Sequence, residues 1–152
     1  MVDLGSKAPD FHLQGSDGKR HSLKEFAGRY VVLYFYPKDD TPGCTIEAKG
    51  FNSRLDDLGV LGVQVVGVSS DDYDSHCRFS EKYGLRFLLL SDPSHMVIKK
   101  YGAYGSRGVF GMGTLRKTYV IDGKGKVVKI YPKVSPAGHE NDIMKFIRQA
   151  MQ

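Results

Sequence analysis

The stretch Tyr30-Val31-Val32-Leu33-Tyr34-Phe35-Tyr36-Pro37-Lys38-Asp39-Asp40-Thr41-Pro42-Gly43-Cys44 decides the reading of this chain. Its first seven residues are a continuous β-branched and aromatic run, the composition of a buried strand. Pro37 stops that strand, because it has no N–H for the ladder and fixes φ. After the polar link Lys38-Asp39-Asp40, Thr-Pro-Gly turns the chain into a helical pattern that opens between Thr41 and Cys44. A thiol in the first turn of a helix faces unpaired backbone N–H groups and the positive end of the macrodipole. Both favour thiolate, the reactive form of cysteine. Free cysteine is often an inert core residue, but Asp, Asp, Thr, Pro and Gly are loop and cap formers, the wrong company for a core.

The 152 residues suffice for one compact domain with a real core and are short for two. With 41% hydrophobic and 26% charged residues, the composition is that of an ordinary globular protein. No apolar run approaches the ~18 residues of a membrane-spanning helix. The opening Met1-Val2-Asp3-Leu4-Gly5-Ser6 lacks the regions of a secretory signal, which points to the cytoplasm. A net charge of +5 is spread along the chain with no dense basic block, so nucleic acid is not an expected partner. Two cysteines make neither a disulfide scaffold nor a cysteine zinc site. His12, His21, His76, His95 and His139 show no metal-ligand spacing and read as solvated or half-buried.

Working outward, Phe11-His12-Leu13 reads as a short edge strand before the turn 15–18. Ser22-Leu23-Lys24-Glu25 fits a capping box on a helical turn closed by Gly28. A helix is expected from Thr41 to Leu58, a strand over 63–69, a helix from Asp72 to Tyr83, and a strand over 87–90. A short helix over 93–101 follows. Residues 102–113 carry five glycines and read as a flexible loop; no G-x-G-x-x-G follows a strand, so no dinucleotide site is expected. Segments 118–121 and 127–131 alternate around Asp122-Gly123-Lys124-Gly125 as a hairpin. Ile143, Phe146, Ile147, Ala150 and Met151 form one apolar stripe on a last helix. The order implies an α/β domain spanning 1–152, with a mixed sheet and helices on both faces.

Pro37, Thr41 and Cys44 together match the P-x-x-x-T-x-x-C pattern of peroxiredoxins, and the longer string Tyr34 to Thr45 resembles the peroxiredoxin Q, or bacterioferritin comigratory protein, subfamily. Gly5 to Phe11, Ser80 to Leu85, Leu90-Ser91-Asp92 and Arg116 to Gly125 extend the resemblance over essentially the whole chain. It implies a thioredoxin fold with peroxiredoxin-type N-terminal additions, a topology that periodicity alone does not choose. It also implies a peroxidase that needs no metal, haem or nucleotide cofactor, takes a peroxide as substrate, is recycled by thioredoxin or a similar thiol reductant, and is monomeric.

In this family's pattern Cys44 attacks the peroxide and becomes a sulfenic acid. Thr41 offers a hydroxyl one helical turn earlier. Pro42 and Gly43 shape the turn, with N–H groups of Gly43 and Cys44 facing substrate oxygen, and Pro37 walls off water. Arg116 is the family's arginine by position, and a guanidinium near the sulfur favours thiolate and polarises the O–O bond. Read without the resemblance, Arg116 is an ordinary surface arginine, with Lys117 its nearest rival. Glu47 either orients that arginine or stabilises the first helical turn. Phe35 and Tyr36 line the pocket or belong to the core.

Many subfamily members carry a resolving cysteine five residues after the first; Lys49 stands there in this chain. The only other thiol is Cys77. On a helix with ~100° per residue it falls about 160° from Phe79, on the outer or flanking side of the inward face that His76, Phe79 and Tyr83 define. Some members place the resolving cysteine on this helix, so the resemblance implies a Cys44–Cys77 disulfide. That bond needs Cα atoms within roughly 7 Å, hence local unwinding. The alternatives are a one-cysteine peroxidase resolved by an external thiol, or a redox sensor that does not turn over. A dithiol oxidoreductase is disfavoured, since Thr41 stands where C-x-x-C needs its first cysteine.

Overall fold

The computed structural model describes residues 2–151; Met1 and Gln152 lie outside the described residues. Nine strands and five α-helices are described: β1 (His12–Gly15), β2 (Arg20–Ser22), β3 (Tyr30–Phe35), α1 (Pro42–Ser53), α2 (Leu55–Val60), β4 (Val63–Ser69), α3 (Tyr73–Tyr83), β5 (Leu88–Ser91), α4 (Met96–Lys100), β6 (Tyr104–Ser106), β7 (Met112–Thr114), β8 (Lys117–Ile121), β9 (Val127–Tyr131) and α5 (His139–Ala150). Seven strands form one mixed sheet in the order β2-β1-β5-β4-β3-β8-β9. β3, β4 and β5 run parallel at its centre, and β1 and β8 flank them antiparallel.

The run Tyr30–Phe35 is β3, one of the three parallel strands at the centre of this sheet. Side chains alternate across a strand, so Val31, Leu33 and Phe35 enter one core layer while Val32, Tyr34 and Tyr36 enter the other. The first layer packs against Val97, Ile98 and Tyr101 around α4; the second against α1, α3 and α5 through Ala48, Phe51, Phe79, Ile143 and Ile147. Burial on both faces explains why β3 shows no polar alternation in sequence.

Several expectations are corrected. The strand near residues 11–13 is not an edge: β1 lies between β2 and β5, and β2 closes the sheet. The expected helix from Thr41 to Leu58 is two helices broken at Arg54. Gly50, Asn52 and Ser53 are weak helix formers at the break. The Ser53 hydroxyl donates to the Gly50 carbonyl, and Asn52 is drawn away to bond the Gly84 carbonyl and the Arg86 N–H. The helix expected over 93–101 begins only at Met96, after His95 adopts φ 62° and the Asp92 carboxylate takes the Ile98 N–H. The glycine-rich segment 102–113 holds a two-stranded hairpin, β6 with β7, whose Gly105 and Gly113 lie opposite each other. On α5 the buried stripe is His139, Ile143, Met144 and Ile147, while Ala150 and Met151 are exposed.

The hairpin expected around Asp122–Gly125 is present as β8 with β9. A short 3-10 turn, Leu23–Phe26, starts as the capping-box reading expects, with the Ser22 N–H donating to Glu25 Oε1 at 2.7 Å. Among the described residues no helix is long and apolar enough to cross a membrane.

Candidate active site

The site forms where β3 hands over to α1. Thr41 is the N-cap of α1, with an extended backbone, and Pro42 takes the first helical position, where a missing N–H costs nothing. Gly43 and Cys44 therefore sit in the first turn, and helix geometry leaves their N–H groups without intrahelical carbonyls. The Thr41 hydroxyl donates to the Lys38 carbonyl at 2.9 Å, so its lone pairs are left to accept. Cys44 is 1% exposed and packs in the same core layer as Tyr34, Ala48 and Phe51. Around it, Pro37, Thr41 and Gly43 are half-buried and Pro42 is exposed.

Arg116 directly precedes β8, whose first residue, Lys117, lies opposite Phe35 at the end of β3. Directly opposed strand residues share a face, so Lys117 belongs to the Phe35 side of the sheet. Arg116 turns toward the Cys44 side: a Cβ built on Gly43 would meet its Nη2 at 2.6 Å and the Pro136 ring at 3.4 Å. The Arg116 Nη1 donates to Glu47 Oε1 at 3.2 Å.

Glu47 is 2% exposed, and its second carboxylate oxygen has no hydrogen-bond partner among the described residues. Burial pushes its carboxyl up to about 7, against the opposing pull of the Arg116 charge. The buried Tyr34 hydroxyl also lacks a hydrogen-bond partner among the described residues. Burial first, then the neighbouring Glu47 and Cys44 charges, hold that phenol well above its ordinary value. Tyr34 and Pro136 are the site residues that sequence reasoning missed. Strand alternation alone identifies Tyr34, because it shares parity with Tyr36 and so faces α1 while Phe35 faces away. Pro136 carries no such signal. Phe35 and Tyr36 are both core residues, with no measurable exposure.

Cys77 stands apart from this cluster. It lies half-buried on α3, and its Sγ donates to the Ser16 carbonyl at 3.6 Å, beyond the end of β1. Both cysteines are free thiols. His76 is buried, as its place beside Phe79 on the inward face of α3 expects, and His139 is corrected from solvated or half-buried to buried. His76 Nδ1 lies 2.6 Å from Asp39 Oδ2, and His139 Nε2 lies 2.9 Å from Thr118 Oγ1. A ring can be buried where each nitrogen has a polar partner.

A cysteine in the first turn of a helix, a guanidinium over that turn and a three-layer α/β frame define a thiol enzyme of the thioredoxin fold. Residues 4–130 match the AhpC/TSA family. The chain is 37% identical over 150 residues to peroxiredoxin Bcp of Bacillus subtilis, covering 97% of this chain and 96% of that one. Its fold superposes on a cysteine-to-serine mutant of Xylella fastidiosa PrxQ with a TM-score of 0.96, at 27% identity and covering 100% and 99% of the two chains. The bacterioferritin comigratory protein of Xanthomonas campestris, whose structures concern its alkyl peroxide reduction activity, superposes with a TM-score of 0.91 at 32% identity, covering 100% and 99%. The chain belongs to the AhpC/TSA family, on its peroxiredoxin Q and bacterioferritin comigratory protein branch. It is a thiol-dependent peroxidase, with a peroxide as substrate and a thiol as reductant.

Proposed function

We propose that Cys44 is the attacking thiol, that Thr41 and Arg116 hold the peroxide, and that Cys77 resolves the product. The Cys44 thiolate attacks one oxygen of ROOH, the O–O bond breaks, and the departing RO⁻ takes a proton to leave as ROH. Sulfur is oxidised to sulfenic acid and the peroxide is reduced. The Gly43 and Cys44 N–H groups and the Arg116 guanidinium supply the donors that stabilise charge on the leaving oxygen. The Thr41 hydroxyl, its hydrogen committed to Lys38, accepts from the peroxide O–H. Glu47 holds Arg116 in place, and Pro37, Pro42 and Pro136 narrow the entrance. The observation that carries this reading is the Arg116 guanidinium resting on Gly43, the residue before the buried Cys44.

Resolution follows as Cys44–SOH plus Cys77–SH giving a disulfide and water. The two thiols have different neighbours in the reduced fold, so the first turn of α1 and the start of α3 unwind locally for the bond to form. A dithiol reductant of the thioredoxin type then restores both thiols. The work reported for the Xanthomonas relative supports organic hydroperoxides beside hydrogen peroxide as substrates. Residues 1–152 act in this proposal as one domain, a monomer in the cytoplasm. Intact mass after peroxide treatment tests it. Loss of two hydrogens in a monomeric product supports the Cys44–Cys77 bond, and an added oxygen retained on Cys44 points to an external resolving thiol.

A further inference from the structure

The loop between β3 and α1 is bolted to α3 by side chains that the peroxide chemistry does not use. Asp39, two residues before the N-cap, is 7% exposed. Its Oδ1 accepts from the Tyr36 hydroxyl at 2.6 Å, and its Oδ2 accepts from the Ser75 hydroxyl at 2.8 Å and lies 2.6 Å from His76 Nδ1. The Asp39 N–H donates to Asp71 Oδ2 at 2.8 Å, an oxygen that also takes the Ser69 hydroxyl. On its far side, His76 Nε2 lies 3.0 Å from the Leu90 carbonyl.

Asp40 extends the attachment. It holds φ at 57°, a backbone region that non-glycine residues seldom occupy. Its carboxylate accepts from the Tyr83 hydroxyl at 2.7 Å and from Lys82 Nζ at 2.8 Å. The two aspartates thus grip both the first and the last turn of α3. Polar atoms of Asp39, Asp71 and His76 lie within 4.8 Å of one another, as in a cation cage. Both Asp39 oxygens and Asp71 Oδ2 are already occupied by protein donors, however, which makes the cluster a fastening. Cys77 follows His76 immediately on the fastened helix.

We propose that the Asp39–His76–Ser75 cluster is a latch. Closed, it holds residues 36–44 in the peroxide-binding arrangement; open, it frees α3 so that Cys77 can reach the Cys44 sulfenic acid. The latch sets the ratio between oxidation and resolution, and therefore how long the sulfenic acid stays exposed to a second peroxide. It carries no electron and no leaving group. Asp39, Ser75 and His76 are positioning residues. The second half of the proposal rests on Cys77 being the resolver.

The test mixes reduced protein rapidly with hydrogen peroxide, quenches with a thiol-alkylating reagent, and follows sulfenic acid and disulfide by intact mass. Asp39→Asn keeps the shape of the side chain and removes its charge. A reacting group displaced by about 1 Å loses roughly 10²-fold in rate, so Asp39→Asn is expected to slow sulfenic acid formation by ~10- to 100-fold while speeding disulfide formation. Ser75→Ala, which removes a single hydrogen bond and leaves the buried pair in place, is expected to fall between Asp39→Asn and wild type. Both variants are also expected to form less sulfinic acid at high peroxide. If the disulfide forms but the ratio of the two rates is unchanged in both variants, the latch is overturned and the resolver reading stands. If wild type keeps an added oxygen and never forms the disulfide, the resolver reading fails and takes the release step with it.

Discussion

Arg116 lies so close to Gly43 that the first turn of α1 has room for no side chain there: a Cβ on Gly43 would come within 2.6 Å of the Arg116 Nη2. The glycine brings the guanidinium down onto the helix start that carries Cys44. The atom in conflict is the far end of a flexible side chain, so an added methyl displaces Arg116 at little cost to the backbone.

Gly43→Ala is therefore expected to separate activity from stability. The melting temperature should hold or rise, since alanine gains up to about 1 kcal/mol over glycine in a helix. The kcat/KM for peroxide should fall by at least about tenfold as the arginine swings away. Arg116→Met, which removes the donors altogether, is expected to cost about 10²–10³-fold, the usual loss for one charge-stabilising donor. Steady-state kinetics and thermal melts on the same samples check both.

Glu47 makes stability depend on pH on the alkaline side. Its carboxyl is raised from 4.5 to about 7 in the fold, chiefly by burial. A group raised in this way contributes stability that is full below its unfolded value and is lost as pH rises through the folded one. Glu47→Gln keeps a partner for Arg116 and does not titrate. Relative to wild type, its unfolding free energy should improve by on the order of 3 kcal/mol between about pH 4 and pH 8. Urea melts across that range measure the difference, and a pH-independent difference would remove Glu47 as the cause.

His139 works in the opposite direction. Burial lowers it from its ordinary 6.5, against the weaker pull of Asp142. The stability that a depressed histidine contributes is full above its unfolded value and is lost as pH falls through the folded one. His139→Gln is expected to lower stability at neutral pH by about 1–3 kcal/mol through loss of the buried hydrogen bond to Thr118. It should also remove part of the loss seen on acidification below about pH 6.5. Denaturation at neutral and mildly acidic pH, compared with wild type, reads both effects.

Cys77→Ser should leave the first oxidation intact and remove its internal resolution. The variant is expected to stall after one turnover with a thioredoxin-type donor, to regain turnover with a small external thiol, and to collect sulfinic acid on Cys44 at high peroxide. Unimpaired turnover with the same donor would show that Cys77 is not needed for resolution.

What was legible in sequence was the part coded locally. The β3 run, its proline stop, the helix start at Thr41 and the alternation of β8 with β9 each follow from residue type and spacing. The seven-strand order was not legible, because pairing between β1 and β5 depends on residues some seventy-five positions apart. The break at Arg54 was missed because part of its cause lies elsewhere: Asn52 is held by the backbone at 84 and 86. The glycines of 102–113 suggested slack chain, yet Gly105 and Gly113 pair across β6 and β7. Within the site, Cys44 and Thr41 could be named from the motif, and Arg116 from the resemblance, with Glu47 as its partner in one of two readings, while the Asp39–His76 pair depends on a contact 37 residues apart.

The most direct measurement locates the first oxidised atom. Reduced Cys77→Ser protein, given one equivalent of hydrogen peroxide with a nucleophile that traps sulfenic acid, is digested and mapped by mass. The account predicts the adduct on the peptide that contains Cys44, forming far more slowly when Arg116→Met is added. Peroxide consumed at the normal rate with the Cys44 thiol left unmodified would contradict it.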